Sequence, residues 1–277
     1  MHASTPCRME AVMQNAFRLV AVALLGLAVA ACGGSDGSGG SGGTAGTGGT
    51  AGTGGTAGTG GTAGTGGTAG TGGSATSTVT GVVYARDAAE NPVADATVSV
   101  VGTQLSTTTN QNGEFTIENV PNGAQFFATE AAGNWGVVDY WDVPDETQFG
   151  ADFGVIPDAD IQGVAATLGR TISADDGAVD VTFYEGAAGG ETASITASSD
   201  PPFTFNLAGV PVEQPGVIAD GDGYGDLIYT SVDPGDGPVG ATVAGVPGTT
   251  TCLVDEDPGT TYPIIAKSIT IVYAYCF

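Results

Sequence analysis

Thr107-Thr-Thr-Asn-Gln-Asn-Gly-Glu-Phe-Thr-Ile117 places a turn signal between two segments suited to strands. Asn112-Gly113 supplies the positive φ of a tight hairpin, and Phe115 and Ile117 fall on one face of the extended chain that follows. Outward from it, Thr78-Val-Thr-Gly-Val-Val-Tyr84, Ala96-Thr-Val-Ser-Val-Val101 and Gln125-Phe-Phe-Ala-Thr129 are rich in β-branched and aromatic residues. Pro121-Asn-Gly123 turns the chain ahead of the last of these. The same texture returns in residues 178–183, 192–197, 202–205, 227–229 and 239–243, and in a long run from Ile264 to Phe277. In that run Ile269, Ile271, Tyr273 and Tyr275 share one face and Val272, Ala274 and Cys276 the other, which predicts a central strand. No stretch after residue 76 sustains a 3.6-residue apolar period for three turns, so the folded part is expected to be all-β.

Taken in order, Gly81-Val-Val, Pro92-Val-Ala-Asp-Ala-Thr-Val-Ser-Val100, the 107–117 stretch and Asn119-Val-Pro-Asn-Gly123 resemble the carboxypeptidase regulatory-like, or transthyretin-like, β-sandwich. The family pattern is G-x-V, P-x-x-G-A-x-V, T-x-x-x-G-x-F and x-x-V-P-x-G; Asp95 stands where it often has Gly. These are turn and core signatures, and they carry no chemistry. The resemblance implies a transthyretin-like β-sandwich over residues 77–158 that serves as an accessory, non-catalytic module. Val243-Ala-Gly-Val-Pro-Gly248 echoes Val120-Pro-Asn-Gly123, so residues 159–277 are expected to form a second β-sandwich segment.

Ahead of the folded part, Leu19 to Ala31 is an uncharged run of 13 residues after Arg18. That is shorter than the roughly 20 residues of a membrane span and fits the apolar region of an export signal. Val29-Ala-Ala-Cys32-Gly33 resembles the bacterial lipobox, which implies cleavage before Cys32 and its acylation, palmitate included, with Met9 or Met13 as alternative starts. Residues 1–31 are thus expected to be a lipoprotein signal peptide. Residues 32–76 would be a lipidated cysteine followed by a disordered linker, since residues 44–73 are five copies of Thr-Ala-Gly-Thr-Gly-Gly. Such a Gly/Thr chain has nothing to bury, and a coil of its length spans on the order of 35–40 Å. Gly33 after the cysteine, by resemblance to known sorting rules, favours the outer membrane.

Composition then narrows function. The chain carries 30 Asp+Glu against 5 Lys+Arg, a formal charge of −25, which excludes a nucleic-acid partner because phosphate binding draws on clustered basic residues. The single histidine is His2, inside the signal, so residues 32–277 lack the usual general base and the usual zinc ligand. No enzymatic activity is expected. Cys7 leaves with the signal and Cys32 carries lipid, so Cys252 and Cys276 remain; in an oxidising compartment they are expected to pair, with a two-cysteine metal site as the alternative.

Two further candidates stand out. Asp220-Gly-Asp-Gly-Tyr-Gly-Asp226 resembles calcium loops of the D-x-D-G-x-x-D kind, with Asp220, Asp222 and Asp226 as oxygen ligands and the Tyr224 carbonyl contributing; the alternative is a solvated acidic hairpin loop. Trp135 and Trp141 share a face if residues 134–141 form a strand, as either a platform for sugar rings or core packing. The expectation is a lipid-anchored envelope protein displaying non-catalytic β-sandwich modules for structural or binding roles toward envelope proteins or glycans. A carbohydrate-binding or calcium-dependent adhesion module is the alternative.

Overall fold

The computed structural model describes residues 75–87, 89–184, 186–255 and 261–277. The expected signal peptide, Cys32 and the repeat linker as far as residue 74 lie outside the described residues.

The first segment contains β1 (Thr76–Ala85), β2 (Thr97–Val100), β3 (Ser106–Thr108), β4 (Glu114–Pro121), β5 (Gly123–Glu130), β6 (Asn134–Val143), β7 (Gln148–Gly150) and β8 (Phe153–Pro157). β6, β5, β2 and β3 lie side by side in one sheet. In the facing sheet β1 is antiparallel to β4 and parallel to β7 and β8. Val79, Val83, Val98, Phe115, Phe127 and Phe153 fill the space between, with the Phe153 ring centre 5.6 Å from Phe115 and 5.3 Å from Phe127. Phe115 and Ile117 point into this core as their alternation predicts.

The turn at Asn112-Gly113 joins different partners from those expected of a hairpin. β3 pairs with β2 and β4 pairs with β1, so the turn carries the chain from one sheet to the other. Gly113 has φ 73°, and a Cβ there would meet the Val83 carbonyl oxygen, so both the backbone conformation and the close approach require glycine. Asn110 Oδ1 accepts from the N–H groups of Asn112 and Glu114 and holds the loop. Asp95, in the position where the resembled family often has Gly, also lies in the left-handed region, with φ 57°.

A helix that the apolar periodicity did not announce, α1 (Asp158–Leu168), follows β8. Ile161, Val164 and Ala165 are buried at helical spacing and Leu168 packs beside them. The stripe is only about two turns long and built partly of alanine, so it falls short of a sustained three-turn period. Its terminal signals are plainer, with Asp158 and Asp160 in the first turn and Gly169 closing the last turn at φ 65°.

The second segment contains β9 (Gly177–Tyr184), β10 (Thr192–Ile195), β11 (Phe203–Phe205), β12 (Pro211–Glu213), β13 (Gly225–Val232), β14 (Ala241–Ala244), β15 (Cys252–Val254) and β16 (Ser268–Cys276). β16 is central as its two-sided apolar pattern predicts, lying parallel to β9 on one side and to β6 of the first segment on the other. The sheet therefore runs without a break in the order β12-β11-β13-β9-β16-β6-β5-β2-β3. Val179, Val181, Phe183, Leu227 and Val272 pack on one face under the β10–β14 pair. On the other face Ala178, Ile228, Ile269 and Ile271 pack under α1.

Cys252 and Cys276 form a disulfide across the β15–β16 ladder, where they are register partners. The bridge clamps the end of the central strand. Reducing it, or making Cys252→Ser with Cys276→Ser, is expected to lower the unfolding free energy by about 3–4 kcal/mol, the loop-entropy value for a closed loop of this size. Urea unfolding with and without reductant measures the difference.

Candidate functional site

Strand alternation puts Ala178, Asp180, Thr182 and Tyr184 of β9 on one face and Val179, Val181 and Phe183 on the other. Both faces are covered, so the polar pair Asp180 and Thr182 is carried into the interior, at 0% and 2% exposure. Asp226 of β13 is the register partner of Thr182, and on the opposite side Tyr273 of β16 is too. The Tyr273 hydroxyl donates to Asp139 Oδ1 of β6 at 3.1 Å. Four adjacent strands thus contribute one polar row, Asp139, Tyr273, Thr182 with Asp180, and Asp226.

Arg86 reaches this row from the end of β1. Its backbone N–H donates to Val155, and its side chain crosses Gly154, where any Cβ would collide with it. The guanidinium charge acts on Asp139, Asp180 and Asp226, favouring the ionised form of each. Burial outweighs it in all three. Desolvation lifts Asp139 above the usual carboxylate range and pushes Asp180 up to about 7. Asp226 stands well above that range, through burial first and the neighbouring Asp180 charge second. The Tyr273 hydroxyl is also held well above its ordinary value, by burial and then by Asp139.

The three carboxylates differ in how they are satisfied. Asp139 Oδ1 accepts from the Tyr140 N–H at 2.8 Å as well as from Tyr273. Both oxygens of Asp180, Oδ1 of Asp226 and the Thr182 hydroxyl have no hydrogen-bond partner among the described residues. A cavity of about 120 Å³ opens beside Thr182 and Asp226, lined also by Asp220, Tyr224, Phe205 and Leu207, with Asp180 deeper and outside its lining.

The acidic loop read from the sequence forms part of that cavity's mouth. Asp220 Oδ1 accepts from the N–H groups of Asp222 at 2.9 Å and Tyr224 at 3.0 Å, and the Asp220 N–H donates to the Tyr224 carbonyl at 2.7 Å. Asp220, Tyr224 and Asp226 come together at the cavity, whereas Asp222 is exposed and does not line it. The Tyr224 carbonyl already receives a hydrogen bond within the turn. Asp180, Thr182 and Arg86 were not singled out in the sequence; the signal was an Asp and a Thr alternating with Val, Val and Phe in a strand whose other face is also buried.

The two tryptophans do not offer a platform. Trp135 is 2% exposed, packed with Ile161 and Val164 of α1, and Trp141 stands edge-on to Phe149 and Phe153 at 5.6 and 6.1 Å. Although they alternate onto one side of β6, the strand passes from one core to another, and each indole fills a different one. Core packing is their observed use.

Residues 78–153 match the family model of the carboxypeptidase regulatory-like domain. No curated protein sequence matches the chain. Among solved structures, a type II cohesin–X-dockerin complex from Acetivibrio cellulolyticus matches 40% of this chain and 77% of that one, at 18% identity and a TM-score of 0.26. The Bacillus anthracis TIE protein matches 73% of this chain and 34% of its own, at 12% identity and a TM-score of 0.26. The shaft pilin SpaA from Lactobacillus rhamnosus GG matches 72% of this chain and 97% of its own, at 12% identity and a TM-score of 0.24.

An aspartate whose folded pKa is raised holds its proton more tightly in the folded than in the unfolded state. Between the unfolded value near 4 and the folded value near 7, stability therefore falls as pH rises. In metal-free buffer, urea unfolding is expected to show the protein less stable at pH 8 than at pH 5. Asp180→Asn removes a large part of that slope, on the order of a few kcal/mol across the interval.

Proposed function

We propose that this chain is an exported lipoprotein whose β-sandwich body acts at the cell envelope as a non-catalytic structural or binding element. The observation that carries this reading is the Cys252–Cys276 disulfide, which suits an oxidising compartment outside the cytoplasm. Residues 1–31 would direct export, Cys32 would carry the lipid, and residues 32–76 would form the tether. The segments 77–158 and 159–277 would be displayed together on the outer membrane, toward partners among envelope proteins. Among the described residues no helix is long and apolar enough to cross a membrane, and in this reading attachment runs through Cys32.

A non-catalytic role is supported by the match of residues 78–153 to a regulatory-like module.

Metabolic labelling with palmitate tests the anchor. The protein is expected to take up label and sediment with membranes, and Cys32→Ser is expected to lose both label and sedimentation while keeping the disulfide. Label retained by Cys32→Ser would sink the anchor assignment.

A further inference from the structure

We infer that the Asp180–Thr182–Asp226 cluster binds a hard divalent cation, calcium, which enters through the cavity beneath the 220–226 loop. Asp180 is 0% exposed with both carboxylate oxygens unpartnered, and Thr182 is 2% exposed with its hydroxyl unpartnered and lining the cavity. Leaving one buried acceptor unsatisfied costs about 1–3 kcal/mol, and a charged one more. Three such atoms on alternate positions of β9, with a fourth on Asp226 of the adjacent β13, make a set of oxygens without a partner.

Arg86 is a cation that acts on Asp139, Asp180 and Asp226, and burial outweighs it at each. Asp139 accepts from Tyr140 and Tyr273, so the unpartnered carboxylate oxygens of the row are those of Asp180 and Asp226. Asp226 and Thr182 are directly opposite on antiparallel strands, which sets their Cβ atoms about 5 Å apart, close enough to share one ligand. Asp220 adds a further carboxylate at the mouth.

Every donor is an oxygen, which selects hard cations over metals that seek nitrogen or sulfur. Calcium accepts six to eight oxygens in flexible arrangements and takes water among them, whereas magnesium demands a near-ideal octahedron. Two carboxylates, a hydroxyl and a cavity of about 120 Å³ suit the first. This site differs from the one the loop spacing suggests: it lies on β9 and β13, and it does not use Asp222.

The test is calorimetric titration of the full chain, extracted in detergent and stripped with chelator, with CaCl2 and separately with MgCl2, paired with thermal melts. Saturable calcium binding with a rise in Tm is expected, with magnesium at least about tenfold weaker. Asp180→Asn, which keeps the side-chain volume, and Thr182→Val are each expected to weaken calcium binding at least about tenfold, while Asp222→Asn stays within about twofold. Far-UV circular dichroism and the intact disulfide establish that each variant is folded. No calcium heat and an unchanged Tm at millimolar CaCl2 would overturn the inference, as would loss of binding in Asp222→Asn with retention in Asp180→Asn. Equal or tighter magnesium binding would overturn the assignment to calcium.

Discussion

The last strand of the chain lies at the middle of its sheet, and the rest of the structure depends on that insertion. β16 pairs in parallel with β9 from Ile269 opposite Ala178 to Tyr275 opposite Tyr184, and with β6 from Ser268 opposite Gly136 to Thr270 opposite Val138. Without it the two segments share no ladder through the long sheet. Its two faces serve different cores: Val272, Ala274 and Cys276 pack under the β10–β14 pair, and Ile269 and Ile271 pack under α1. Parallel pairing of distant strands needs long crossovers whose closure entropy comes before any contact is gained.

The polar row across β6, β16, β9 and β13 fixes how those strands align. Asp139, Tyr273, Thr182, Asp180 and Asp226 interrupt a face that is otherwise apolar, between the core of the first sandwich and the core beneath α1. A two-residue slip of β9 keeps every side chain on its own face but moves Asp180 to the level of Ala178, among Ile161, Val164 and Ile228. An uncompensated carboxylate there is far costlier than in the row, where Arg86 and the hydroxyls lie close. The row thus specifies register on a face where aliphatic side chains alone discriminate poorly.

Much of this was legible in the sequence, where local chemistry determines local structure. The strands around Thr78–Tyr84, Ala96–Val101 and Gln125–Thr129, the central character of the final run and the Cys252–Cys276 pairing all follow from alternation, turn residues and cysteine arithmetic. What failed depended on partners distant in sequence. Asn112-Gly113 has the positive φ that suits a tight hairpin, yet β3 and β4 find their partners in opposite sheets. The helix at Asp158–Leu168 has an apolar stripe too short and too rich in alanine to stand out, although Gly169 and the acidic first turn are visible. Trp135 and Trp141 shared a strand face as expected, but no single-sequence pattern shows that the strand spans two cores. The acidic loop places Asp220 and Asp226 at a cavity but gives no sign of the deeper Asp180, whose environment only the sheet order reveals.

Acidity as a whole says little about which carboxylates matter, and burial sorts them. A formal charge of −25 is spread mostly over solvated turns, where salt screens it within about 8–10 Å. Glu191 and Asp180 are both 0% exposed and escape that screening. Burial drives both upward, yet Glu191 ends below the usual carboxylate range because it accepts from the N–H groups of Ala188 and Gly189 and from the Thr250 hydroxyl. Asp180 has only the Arg86 charge and the Thr182 hydroxyl acting to lower it, is more deeply enclosed, and ends near 7. Deeper enclosure and fewer donors together separate the two outcomes. Glu191 is held by its three donors, whereas at Asp180 burial outweighs every group that favours its charge.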